Sequence, residues 1–302
     1  MRNQFGEVIV SRNAHEDMVF LTGDLGFMAL ETVRDALGDR FINAGVAEQN
    51  MISVAAGLSY TGLDVWAYSI APFCYARPFE QIRNDIALHN LPVTLVGNGG
   101  GYGYGVMGPT HHAIEDYGVL CTLPNMKVCV PVFDEDLGAA VDWIKSDKSP
   151  SYLRLGRGEK PAGYTPPPFA PWRQLISGRG PVVIAVGPLA GGYIAELSAL
   201  PDTQRPNLWA ASVLPVKRAV PPPELIAQLS AAPKLIVAEE HVQTGGFGSD
   251  LLMWLTQEQM APKQFVHMFA QSHTYEAYGS QTYLRQKSSL DVQTLMQHLQ
   301  DI

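Results

Sequence analysis

Three stretches of the 302-residue chain carry side chains able to do chemistry. In the first, Asn43-Ala44-Gly45 leads into a helical pattern with Met51, Val54, Ala55 and Leu58 on one apolar face, stopped by Gly62. Glu48 then stands in the first helical turn, at the lip of the helix. An acid there answers the helix dipole, or it works on a bound group as a proton donor or acceptor. The second stretch, 97–112, is dense in glycine and ends in Gly108-Pro109-Thr110-His111-His112. It has neither the P-loop lysine nor a dinucleotide fingerprint, so it reads as a mobile loop. The His111 imidazole can give or take a proton near neutrality. The adjacent histidine pair has no third ligand at useful spacing, so no metal site is expected. The third stretch holds Arg154 and Arg157. These read either as surface arginines beside a linker or as planar, permanently charged ligands for an anion.

The elements that must position these groups are short. Apolar runs at 18–21, 40–43, 64–69, 92–96, 127–130 and 151–155 predict strands, with helical patterns between them. Asp24, Glu48, Phe73, Tyr75, His111 and Arg157 follow predicted strand ends, where open parallel sheets bind ligands, and Arg154 stands at the end of the sixth. The aromatic pair Phe73 and Tyr75 reads as core or as a stacking surface. A proline-rich segment, 159–168, predicts a linker. Beyond it, strands at 181–187, 208–213 and 234–239 predict a second unit. The run Glu239–Ser249 reads there as a strand end, a glycine-rich turn and a helix start capped by Ser249. The fold class is α/β, two doubly wound domains with mostly parallel sheets, at 1–165 and 173–302.

Composition narrows the function. The net charge of -8 and the lack of a basic tract disfavour nucleic acid and anionic membranes. Cys74, Cys121 and Cys129 have no metal or redox spacing and fit free thiols in a reducing cytosol. The first residues lack a signal peptide's apolar core. No apolar run approaches the roughly 20 residues that span a bilayer. A cytoplasmic protein is expected.

The run Gly45-Val46-Ala47-Glu48-Gln49-Asn50-Met51, followed by Ala55-Ala56-Gly57-Leu58, resembles the catalytic-glutamate segment of the transketolase family of thiamine diphosphate enzymes. Gly108-Pro109-Thr110-His111 is similar to that family's Gly-Pro-Thr-His element, and Glu239–Ser249 to a turn in its C-terminal domain. The resemblance spans nearly the whole chain. It implies that Glu48 hydrogen-bonds the cofactor's aminopyrimidine ring and activates it, and that Phe73 stacks on that ring, with Tyr75 as the alternative. It implies further that His111 contacts substrate oxygens, that Arg157, with Arg154 beside it, faces a substrate phosphate, and that Asp24 lines the substrate channel. A carboxyl group in such a role must hold or share a proton, and burial and a helix N-terminus act on that in opposite senses.

Two departures qualify the resemblance. Met107 stands where typical transketolases carry an aspartate that binds a sugar hydroxyl, and a thioether cannot replace that acceptor. The usual sugar-phosphate pair is therefore not implied. The Gly-Asp-Gly and asparagine pair that grips magnesium diphosphate is absent as well. The resemblance thus implies the C-terminal half of a split transketolase. A partner subunit would hold Mg2+ and the diphosphate, in a two-plus-two heterotetramer. The expected reaction moves a two-carbon ketol unit from a ketose, phosphorylated or otherwise anionic, to an aldehyde. The beta subunit of a 2-oxoacid dehydrogenase and a non-catalytic regulatory subunit are the alternatives.

Overall fold

The computed structural model describes residues 1–26, 28–271, 273 and 279–300. In the first half, the strands are β1 (Met18–Thr22), β2 (Phe41–Asn43), β3 (Asp64–Ile70), β4 (Val93–Asn98), β5 (Lys127–Cys129) and β6 (Ser151–Leu155). In the second half they are β7 (Trp172–Ile176), β8 (Val182–Val186), β9 (Asn207–Ala211), β10 (Val213–Leu214), β11 (Lys234–Glu239) and β12 (Gln264–Phe269). They form two mostly parallel sheets, ordered β10-β5-β6-β4-β3-β1-β2 and β12-β11-β8-β9-β7.

The continuous apolar runs follow from burial on both faces. In β1, Val19 and Leu21 pack with Met51, Ile52 and Ala55 of the helix Glu48–Tyr60. Met18 and Phe20 turn to the other face, against Phe5 and Ile9. The first sheet is therefore a two-sided α/β layer, as expected. Its register runs in parallel from β2 through β6.

Some elements were not foreseen. The helix Arg2–Asn13 has no clear apolar period, yet Phe5 and Ile9, four residues apart, are fully buried. Tertiary contact, with Phe5 stacked on Tyr68 at 5.9 Å, specifies this helix where its local pattern does not. β7 lies antiparallel on β9, and β12 is an outer strand with a mainly half-buried face. The helices Gln281–Lys287 and Val292–Gln300 also lie beyond the elements read from sequence.

The helix after the Glu239 turn differs from expectation. It runs Phe247–Gln257 and begins before Ser249, whose hydroxyl donates to the Gln243 carbonyl at 2.6 Å. The cap is instead the buried Glu239 carboxylate, which accepts from Phe247 N at 2.7 Å and Gly248 N at 2.8 Å. A charged cap satisfies two orphan amides and favours the positive end of the helix dipole.

The two halves interlock. β10, from the second half, pairs antiparallel with β5 and forms an edge of the first sheet. The Asp136 carboxylate, at the start of the helix Leu137–Lys145, receives both terminal nitrogens of Arg173 in β7, at 2.8 and 2.5 Å. Such forked pairing is the strong, geometrically specific form of ion pair.

Replacing Phe5 with alanine removes the main anchor of the first helix. Phe5→Ala is expected to lower stability by about 3–5 kcal/mol, read as a fall in the urea midpoint.

Candidate active site

The entry to the Glu48 helix is built by turn chemistry. Asn43 ends β2, and its side-chain oxygen accepts from Gly45 N at 2.9 Å. Gly45 has φ of +71°, a conformation suited to glycine. The chain then turns into the helix at Ala47, with Glu48 in the first turn and only 6% exposed.

The carboxylate meets a residue that sequence reasoning did not single out. Arg77 Nη1 donates to Glu48 Oε1 at 2.8 Å. The same guanidinium lies 3.9 Å from the centroid of the Phe73 ring. Phe73 is half-buried in the short helix Ala71–Tyr75 that follows β3. Its ring meets the His111 imidazole edge-on at 5.2 Å. Glu48, Arg77, Phe73 and His111 thus form one contiguous group. The only local signal for Arg77 is its position four residues beyond Phe73, the spacing at which helical neighbours touch.

His111 closes the short turn Pro109–His111. Its Nδ1 is 2.9 Å from the Thr110 hydroxyl, and the Tyr104 ring stands 6.3 Å away. Asn98, the last residue of β4, orients Tyr104 by donating to its hydroxyl at 2.6 Å. Burial, and then the nearby Arg77 charge, hold the His111 pKa below its ordinary value. Near neutrality the imidazole is therefore uncharged, able to accept a proton at one nitrogen and donate from the other.

The remaining candidates occupy different places. Tyr75 faces away from this group. It is buried, its hydroxyl donates to Glu115 at 3.2 Å, and burial pushes its pKa well above the ordinary value. Asp24 is exposed and accepts from Asn43 Nδ2 at 3.2 Å, beside the turn that leads to Glu48. Met107 is exposed at the end of the turn Gly105–Met107. Arg157 is exposed and lines a cavity of about 480 Å³ with Asn98, Tyr104 and Arg2. Tyr104 is common to that cavity and to the His111 surroundings.

Arg154 is buried, unlike the surface arginine its position next to a linker suggests. Its Nε donates to Asp116 at 2.7 Å, and its Nη2 donates to the carbonyls of Ala113 and Glu240 at 2.7 and 3.1 Å. The glycine-dense stretch likewise differs from a free loop. Gly99 N and Gly100 N both donate to the Leu155 carbonyl, and Gly101 bridges Ala113.

Two mostly parallel α/β sheets, with polar and aromatic side chains gathered beyond strand ends, are the arrangement of the α/β class in which ligands bind beyond the carboxyl ends of strands. The family described as "Transketolase, pyrimidine binding domain" matches residues 2–161. The chain belongs to that family, and it corresponds to the C-terminal half of a transketolase. It is similar to one of the subunits of an apulose-4-phosphate transketolase from Phocaeicola vulgatus, with 30% identity over 250 residues, covering 80% of this chain and 78% of that protein. It is also similar to "1-deoxy-D-xylulose-5-phosphate synthase 2" of Geobacter sulfurreducens, with 31% identity over 263 residues. That match covers 84% of this chain but 41% of the synthase. Among solved structures, a "Split gene transketolase, inactive beta4 tetramer" superposes with a TM-score of 0.83 and 28% identity, covering 99% of this chain and 96% of that one. "Transketolase from Leishmania mexicana" shares the fold, with a TM-score of 0.75 at 19% identity over 99% of this chain and 45% of that one.

The positive charge of Arg77 opposes protonation of His111. Arg77→Met keeps an unbranched stem and removes the charge, so the His111 titration midpoint should rise toward the ordinary imidazole value, measured by NMR of the ring protons. An unchanged midpoint would leave burial as the whole cause.

Proposed function

We propose that this chain is the pyrimidine-side component of a split transketolase-like enzyme, transferring a two-carbon ketol unit from a ketose to an aldehyde with thiamine diphosphate. The observation that carries this reading is the contiguous group of Glu48, Arg77, Phe73 and His111 beyond the strand ends of the first sheet. Family membership and the likeness to one component of a transketolase made of separate chains support it.

The residues fit the pyrimidine half of the cofactor. Glu48 is nearly buried, and no described residue hydrogen-bonds its Oε2, which can accept a ring N–H. Phe73 keeps part of its ring accessible for stacking. Bound thiamine diphosphate would supply the nucleophilic carbon and the electron sink that carbon–carbon cleavage requires. Glu48 would orient the ring and hold a proton at its carboxylate. The uncharged His111 would give or take a proton at a substrate oxygen. Arg157, in the cavity it shares with Arg2, would hold an anionic tail. Met107 offers no acceptor for a sugar hydroxyl, so substrate choice should differ from that of enzymes with an aspartate there.

Mg2+ and the diphosphate would be held by a partner subunit in a two-plus-two assembly. The solved relative described as an inactive tetramer of beta chains is in keeping with a beta chain that cannot act alone. A cytoplasmic setting is supported by the unpaired Cys74, Cys121 and Cys129. No helix among the described residues is long and apolar enough to cross a membrane.

Reconstitution with the partner tests the assignment. Glu48→Gln should lower ketol transfer by at least ~100-fold while the subunits still co-elute on gel filtration. Full turnover by that variant would rule out the proposed role of Glu48. Oxidation of a 2-oxoacid with an artificial electron acceptor, in place of ketol transfer, would point to the dehydrogenase class.

A further inference from the structure

The stretch that carries His111 is held at its base by the first sheet and gripped at its side by the second half. Gly101 N donates to the Ala113 carbonyl at 2.9 Å, and Ala113 N returns the bond to Gly101 at 2.8 Å. These bonds close residues 101–113 into a ring. Tyr102, inside that ring, is buried, and its hydroxyl shares a hydrogen bond of 2.9 Å with Ser288 Oγ, just past the helix Gln281–Lys287. Burial pushes the Tyr102 pKa up to about 12, so the hydroxyl keeps its proton and can donate.

A second contact comes from Glu240. A side chain at Gly101 would bring its Cβ within 2.7 Å of the Glu240 carboxylate, and Gly101 also has φ of +63°. That carboxylate is buried and held by Gln281 Nε2, at 3.1 and 3.0 Å, and by Arg285 Nε, at 3.2 Å. The backbone carbonyl of Glu240 accepts from Arg154. Gly105 sits against Leu284 and the Gly279 carbonyl, where no side chain would fit. Its own carbonyl lies 3.2 Å from His112 Nε2, and the Tyr102 ring meets the His112 ring edge-on at 5.3 Å.

We propose that Tyr102 and Glu240 are positioning residues, through which the second half of the chain sets where the His111 imidazole lies against Phe73. This rests on the reading of His111 as part of the active site and assigns the second half a part in it. The glycines at 101 and 105 then serve close approach between the two halves. A rigid loop base with a tethered side keeps the imidazole within the tolerance that catalysis needs, since a misplacement of about 1 Å can cost on the order of 100-fold in rate.

The test removes the tether and little else. Tyr102→Phe deletes one hydroxyl and keeps the ring. Amide exchange at His111, His112 and Ala113 should quicken by about fivefold, the factor expected for one lost hydrogen bond. The His111 titration midpoint should rise as the ring becomes better solvated. Ser288→Ala should reproduce both changes, and Ser288→Thr, which keeps a hydroxyl, should restore the parent behaviour. In the reconstituted enzyme, kcat should fall while KM for the ketose stays put. The proposal is overturned if the His111 midpoint and exchange rates are unchanged in both Tyr102→Phe and Ser288→Ala. The midpoint and exchange are read on the full chain without cofactor. Full turnover by Glu48→Gln would therefore remove the catalytic reading and leave the positioning result standing.

Discussion

One buried guanidinium ties the parts together. Arg154 lies near the end of β6 with its Nε on Asp116 Oδ2, an oxygen that also accepts from the Tyr152 hydroxyl at 2.9 Å. Its Nη2 reaches the Ala113 carbonyl, just past the glycine-dense stretch, and the Glu240 carbonyl just after β11. The Tyr117 ring, 4.9 Å from the guanidinium carbon, covers it. A buried charge left without its partner costs roughly 3–5 kcal/mol, so these acceptors are held as a set. One side chain thereby ties an interior strand to a loop base and to the junction between halves.

The candidate site follows from that frame and from the strand order. In the first sheet β4, β3, β1 and β2 lie side by side, and their carboxyl ends point the same way. Glu48 comes after β2, Phe73 after β3 and His111 after β4, while Asp24, after β1, stands outside their group beside Asn43. Residues far apart in sequence thus converge because each crossover returns the chain to the same end of the sheet. Arg77 completes the group from the segment that follows the Phe73 helix, supplying the charge that Glu48 requires and a face for the Phe73 ring.

The legible part of this architecture was the part written in local pattern. The Glu48 helix shows its buried face at Met51 and Ala55, although Val54, read on the same face, is exposed, and β1, β4 and β6 show as apolar runs because both sheet faces are covered. Glu48 and His111 stood out through short runs of residues. The orientation of Tyr75 and the burial of Arg154 were not legible, because each depends on which acceptor lies across the fold, Glu115 in one case and Asp116 in the other. Arg77 was hidden for the same reason, as its partner Glu48 is remote in sequence. The glycine-dense stretch misled because glycine serves both freedom and close contact. The packing of Gly101 on Glu240 and of Gly105 on Leu284 distinguishes the two uses.

The short strand β10 has a bearing on modularity. Between β6 and β7 the chain has neither helix nor strand and is rich in proline, the look of a convenient place to divide it. Division there would strip β5 of its outer neighbour, since Val213 and Leu214 cap it from the far side of the break and only β6 would remain paired with it. The severed first half would carry a bare row of amides and carbonyls, a template for pairing with any other chain. A proteolytic nick could leave the two pieces clasped together, whereas expressing the first piece by itself should yield aggregates.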